Sequence, residues 1–106
     1  GTQTRDMVFV EDIADLNFRA AQAENLEERI FNVGTGSAIS NNEILEYFQE
    51  RFPDHMQKIG ITHAPERIGD VKHACADITR LIKAFGDWNP TEINVGLQKT
   101  FEWWEL

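Results

Sequence analysis

Arg67-Ile68-Gly69-Asp70 is the stretch of this chain whose residue types and spacing could do chemistry. Pro65 fixes its own φ and biases Ala64 away from helix, and Gly69 permits a backbone geometry that other residues resist. An arginine on such a loop presents a planar fork of donors suited to a phosphate, and Asp70 could take the hydroxyl donors of a sugar. The same four residues also read as a surface turn carrying an Arg–Asp pair. A second fork, Arg5, stands at the entrance of an apolar run, and two such forks could clamp a diphosphate if the fold joins them. For Arg5 alone the competing reading is a salt bridge to Asp6, Glu11 or Asp12. Each charge-assisted bond is worth roughly 1.5–3 kcal/mol.

Other signals fail. Gly34-Thr35-Gly36 lacks the third glycine of a dinucleotide-binding loop, because Ile39 stands there. His55, His63 and His73 have no metal-ligand spacing. Cys75, flanked by alanines, reads as a buried and inert thiol. No nucleophile elbow or phosphate-binding P-loop is present, so neither a catalytic residue nor a metal site is assigned.

The elements that must position these residues are short. The chain has 106 residues, enough for one domain spanning 1–106, with 42% hydrophobic residues, three Trp and seven Phe. Net charge is −8, which argues against nucleic acid as a partner. The lack of a long apolar run argues against a membrane span. A single cysteine rules out an intramolecular disulfide and points to a cytoplasmic setting. The start at Gly1, without a methionine, leads us to expect a severed piece of a longer protein.

Met7–Val10 reads as a strand, Asp12 as the cap of a helix with Ile13, Leu16, Ala20 and Ala21 on one face, and Ile30–Val33 as a second strand. That order predicts a parallel βαβ unit. Ser40-Asn41-Asn42-Glu43 matches a capping box opening a helix that turns Ile44, Leu45, Phe48 and Phe52 inward and ends at Pro53. Lys58–Thr62 reads as a third strand. Asp77 caps a helix bearing Ile78, Leu81, Ile82 and Phe85, closed by Gly86. A last helix follows Pro90-Thr91, with Ile93, Leu97, Phe101 and Trp104 at helical spacing. The expected class is α/β, with about three short strands and four helices.

Taken together, Gly1-Thr2-Gln3-Thr4-Arg5-Asp6-Met7-Val8-Phe9-Val10-Glu11-Asp12-Ile13-Ala14 resembles the G-x-Q-x-R-D-(aromatic)-V-(aromatic)-V-x-D-(V/I)-A segment of extended short-chain dehydrogenases/reductases, the NAD-dependent nucleotide-sugar epimerases and dehydratases. Further matches follow in the family's order. Phe31–Gly36 is similar to its F-N-(V/L)-G-x-G segment, Arg67–Val71 to its R-P-G-D loop, and Ala76-Asp77-Ile78 with Phe85–Pro90 and Gly96-Leu97 to its tail. Met7 replaces the usual aromatic, Ile68 the usual proline, and Asp87 adds one residue to the L-G-W-x-P pattern.

The resemblance implies the small α/β C-terminal, substrate-binding portion of an extended Rossmann-type enzyme. By matched position Arg5 and Arg67 would clasp the diphosphate of a UDP- or dTDP-type sugar, Asp70 would bind the ribose, and Asn32 would face the same cleft. The parent enzyme would use NAD. This chain carries neither the glycine-rich NAD loop nor a Tyr-x-x-x-Lys, since Arg51 stands four positions after Tyr47, the single tyrosine. Alone it is expected to bind no cofactor, to catalyse nothing, and to need an N-terminal NAD-binding half. The alternatives are a free-standing nucleotide-sugar binding or interaction module, and a piece that forms homodimers through exposed apolar surface.

Overall fold

The computed structural model describes residues 1–105. It is α/β, with a two-stranded sheet and five helices. Strand β1 is Thr4–Arg5 and β2 is Ile39–Ser40, paired antiparallel with Thr4 opposite Ser40 and Arg5 opposite Ile39. On the other side of β1 a parallel bridge joins Thr4 to His73. Thr4 N donates to Lys72 O and Ala74 N donates to Thr4 O. The first two residues of strand character thus hold neighbours 34 and 36 residues on and another 69 residues on.

This differs from the expected parallel βαβ unit. Residues 7–9 run up to helix α1, Val10–Gln22, whose N-cap is Phe9 rather than Asp12. Residues 30–33 form no strand. A strand exists only with a ladder partner, and among the described residues neither apolar run has one; the polar Thr4–Arg5 does. On α1, Leu16 is buried while Ala21, expected beside it, is exposed.

Helix α2, Asn41–Arg51, opens with the expected capping box: Glu43 N donates to Ser40 Oγ, and Ser40 N to Glu43 Oε2. Pro53 ends it but also opens helix α3, Pro53–Ile59, in place of the expected strand at 58–62. Proline at the first helical position has φ preset and loses no hydrogen bond there, so it restarts a helix as readily as it stops one. Helix α4, Thr79–Phe85, starts from Ile78, with Asp77 Oδ1 accepting from Thr79 N at 3.0 Å. Gly86 closes it at φ +74. Helix α5 is Ile93–Trp104.

Leu16, Leu81 and Phe101 are the buried apolar side chains among the described residues. Phe101 packs edge-on against Phe48 and Phe52, with ring centroids at 4.9 and 5.2 Å. Phe31 and Phe85 form a second edge-to-face pair at 5.5 Å. Trp104 and Ile82, expected inward, are exposed. The molecule is a slab of 54 × 37 × 16 Å. A plate that thin has little room for side chains out of reach of water.

Candidate functional site

The Arg67–Asp70 stretch is a four-residue turn in which Asp70 N donates to Arg67 O at 3.2 Å. Gly69 has φ +83, the sign that the third residue of a type II turn requires. The second position of such a turn favours proline for its preset φ, and here Ile68 occupies it, fully exposed. This turn is tied to β1 from the far end of the sequence. Arg5 Nη2 lies 3.1 Å from Asp70 Oδ1, and Arg5 Nη1 donates to Thr4 O at 2.8 Å. Arg5 therefore pairs with Asp70, not with Asp6, Glu11 or Asp12.

Arg67 is exposed, and none of the ion pairs among the described residues uses it. Arg67 and Asp70 both line a cavity of about 380 Å³, together with Gln3 and Asn41. Asn32 is exposed, on the segment leading into Gly34, and no hydrogen bond among the described residues joins it to Arg5, Arg67 or Asp70. Three of the four expected residues thus share one neighbourhood, with Asn32 outside their hydrogen-bond network.

Asp6 is the residue that sequence reasoning missed. Its Oδ1 accepts from Thr35 N at 2.7 Å and Thr35 Oγ1 at 2.6 Å, and its Oδ2 from Gly36 N at 2.9 Å and Ala76 N at 3.3 Å. Burial opposes ionisation of this carboxyl, but the Thr35, Gly36 and Ala76 donors outweigh it and hold its pKa below the usual aspartate value. The signals in the sequence were its place directly after Arg5 and its match to the fixed aspartate of the G-x-Q-x-R-D segment. Trp88 Nε1 donates to Gly34 O at 2.8 Å, so the Gly34–Gly36 turn is gripped from both sides. A Cβ on Gly34 would collide with Asp6 and Ala76, so glycine is required there by close approach.

That arrangement bears on NAD. The Thr35 and Gly36 amides that a dinucleotide loop would point at a pyrophosphate are bound to Asp6. Tyr47 and Arg51 lie on α2 without the lysine that pairs with the tyrosine in this chemistry. Neither that turn nor α2 supplies the groups by which such a cofactor would be held. Nor do three or more His, Cys, Asp or Glu side chains among the described residues converge on a position for a metal ion.

Cys75 is exposed, not buried as its neighbours suggested, because Lys72–Ala76 runs along the outside of β1. Poor hydration of the sulfur, then the Asp6 carboxylate 3.8 Å away, raise its pKa. Both effects disfavour the thiolate, the nucleophilic form of the sulfur. No helix of the described residues is long and apolar enough to cross a membrane.

No protein-family model matches the chain. Among curated proteins it is 34% identical over 110 residues to the UDP-glucose 4-epimerase of Mycolicibacterium smegmatis, a match covering 96% of this chain and 31% of that protein. Among solved structures, the UDP-glucose 4-epimerase of Thermotoga maritima with UDP-glucose superposes at a TM-score of 0.82 and 28% identity, over 99% of this chain and 32% of that one. MoeE5, in complex with UDP-glucuronic acid and NAD, superposes at 0.83 and 28% identity, over 99% and 34%. The chain spans about a third of the length of the curated relatives it matches. Over that third of their length the chain is homologous to the C-terminal part of nucleotide-sugar epimerases of the short-chain dehydrogenase/reductase type.

Proposed function

We propose that this chain binds the nucleotide diphosphate of a UDP-type sugar, Arg5 and Arg67 holding the diphosphate and Asp70 the ribose. The observation that carries the reading is the Arg5–Asp70 contact. Residues 65 positions apart meet at 3.1 Å beside a cavity that Arg67 also lines. Arg5 Nη2 is engaged with one oxygen of Asp70, and that pairing orients both groups: the guanidinium keeps an edge for phosphate oxygens, and Asp70 Oδ2 is left to accept from ribose hydroxyls. The pair is about one-third exposed, open to a soluble ligand. Solved relatives hold UDP-glucose and UDP-glucuronic acid, which agrees with this ligand class. Asn32 is a lesser contributor, contacting the sugar side if at all.

The chain acts in partnership with an NAD-binding half, which supplies the cofactor, the tyrosine and the lysine; by itself it performs no epimerisation or dehydration. The setting is cytoplasmic. Titrating the chain with UDP should perturb the amide resonances of residues 4–6 and 66–71. Arg67→Ala should weaken binding at least several-fold, the loss expected for one charge-assisted hydrogen bond to phosphate. Unchanged affinity in Arg67→Ala would remove that residue from the site.

A second reading, association through exposed surface, is favoured by a separate observation. The chain exposes 8420 Å², whereas a compact monomer of its mass exposes about 6,100 Å². The excess is of the size that a stable interface covers. The NAD-binding half is the cover we propose, with a second copy of this chain taking its place in isolation.

A further inference from the structure

Helix α1 is apolar on two sides. Its inner side carries Leu16, which is buried, and the Asp12 carboxylate that accepts from Thr91 at the approach to α5. On a surface helix the side away from the core is ordinarily charged or polar. Here Val10, Ala14, Phe18 and Ala21, at i, i+4, i+8 and i+11, fall on one line roughly opposite Leu16. All four are exposed, Val10 by 71% and Phe18 by 64%. Glu11, Asp15 and Gln22 flank the line on one side and Asn17 on the other, so an apolar stripe runs between polar margins.

Along the stripe the side chains alternate, large, small, large, small. Two copies of α1 laid antiparallel set Phe18 of each against Ala14 of the other, and Val10 against Ala21, so that every large side chain meets an alanine. A parallel pair would stack Phe18 on Phe18 and leave the alanines facing across a gap. It would also bring the Glu11 and Asp15 carboxylates of both copies together. The antiparallel pair keeps them at opposite ends of a 13-residue helix, about 20 Å long. Self-complementarity under a two-fold axis is what an isologous dimer requires.

We propose that this outer face of α1 is a dimer interface, occupied by α1 of a second copy of the chain in antiparallel orientation. This rests on the association reading above and names the surface through which it acts. The two-fold axis passes between Ala14 and Phe18. The chain exposes 8420 Å² where a compact monomer exposes about 6,100 Å², which leaves room for the roughly 800 Å² that each partner gives to a standard interface.

The test is sedimentation equilibrium of the intact chain, of Ala14→Glu, of Phe18→Lys, and of the two variants mixed. Both substitutions put good helix formers at exposed helical positions, so circular dichroism should show unchanged helix content. Each variant alone sets a charge against an apolar side chain at two places in the contact and should raise the dimer dissociation constant at least about ten-fold. Mixed in equal amounts, they set one carboxylate against one ammonium and one unaltered Phe18 against one unaltered Ala14. That heterodimer should form about ten-fold more tightly than either variant forms with itself. Variants that dimerise as the unaltered chain does overturn the α1 interface and leave association to another surface. Variants that stay monomeric when mixed overturn the antiparallel pairing. If the unaltered chain is monomeric at every concentration, the interface and the association reading fall together.

Discussion

Asp6 is a carboxylate occupying the place of an anion. The Gly34–Gly36 turn and Ala76 aim backbone N–H groups at it, and the Thr35 hydroxyl adds another donor. Because those donors depress its pKa, the stability it contributes is fully present above the unfolded value, about 4, and is lost as pH falls through the lower folded value. Asp6→Asn presents one acceptor where there were two and brings an NH2 group against backbone donors. Urea unfolding at pH 7 should show it about 2–3 kcal/mol less stable, the scale of hydrogen bonds to a charged group. Between pH 5 and 3 the variant should lose less further stability than the parent; equal losses would show that Asp6 does not carry the acid sensitivity. The same substitution removes the charge beside Cys75, so iodoacetamide should label that thiol faster. Nothing local marked Asp6 for this role. Its partners lie 29 and 70 residues away, and a carboxylate that caps a turn across such a distance leaves no periodicity to read. An arginine fork and a Pro/Gly loop are each recognisable alone, so Arg5 and Asp70 stand out in the sequence, but their contact across 65 residues does not.

The elements divide along the same line. Capping box, glycine stop and 3.6-residue spacing are written within a few residues, so α2, the end of α4 and α5 could be read directly. Strands are defined by neighbours far along the chain, and among the described residues none of the three runs read as strands has one, while the polar β1 has two. Between those extremes sits Asp12, read as a cap for α1. It lies inside α1, and its carboxylate accepts from Thr91 N at 2.7 Å and Thr91 Oγ1 at 2.8 Å, just ahead of α5. Two further contacts hold the same pair of helices. Gly96 is buried close against Phe9, and Lys99 Nζ reaches Glu11 Oε2 at 3.2 Å. The Asp12 bonds are half-buried and therefore the stronger part of this junction, whereas the exposed Lys99–Glu11 pair is worth about 0–1 kcal/mol. Asp12→Ala leaves Thr91 N–H without its acceptor and should cost about 2 kcal/mol, measured by urea unfolding. Glu11→Ala should cost less than half as much. A reversal of that order would mean that the α1–α5 junction is held by surface charge.

At the scale of the whole molecule, the thin slab and the small buried core have one cause. Apolar side chains that helical and strand patterning assigns to an interior lie at the surface, among them Val10 at 71% exposure, Ile30 at 80% and Trp104 at 77%. The radius of gyration is 16.8 Å, against about 13 Å for a compact chain of this length. Met7, Val8, Phe9 and Val10 also line a largely apolar groove of about 410 Å³ with Ile93 and Leu97 of α5. The run expected to be a covered strand is thus apolar, yet Met7 and Val10 in it are exposed. Burial of 20–33 cal/mol per Å² makes such a surface costly to leave in water, and the net charge of −8 opposes self-association only over the Debye length. Raising the salt should therefore favour assembly. Sedimentation velocity of the isolated chain should show a concentration-dependent shift from monomer toward dimer, stronger at 0.5 M than at 0.05 M NaCl. Val10→Lys, on the rim of that groove, should move the equilibrium back to monomer. A single monomeric boundary at every concentration and both salt levels would mean that the slab is stable with its apolar face wet, and the proposal that another body covers it would fail.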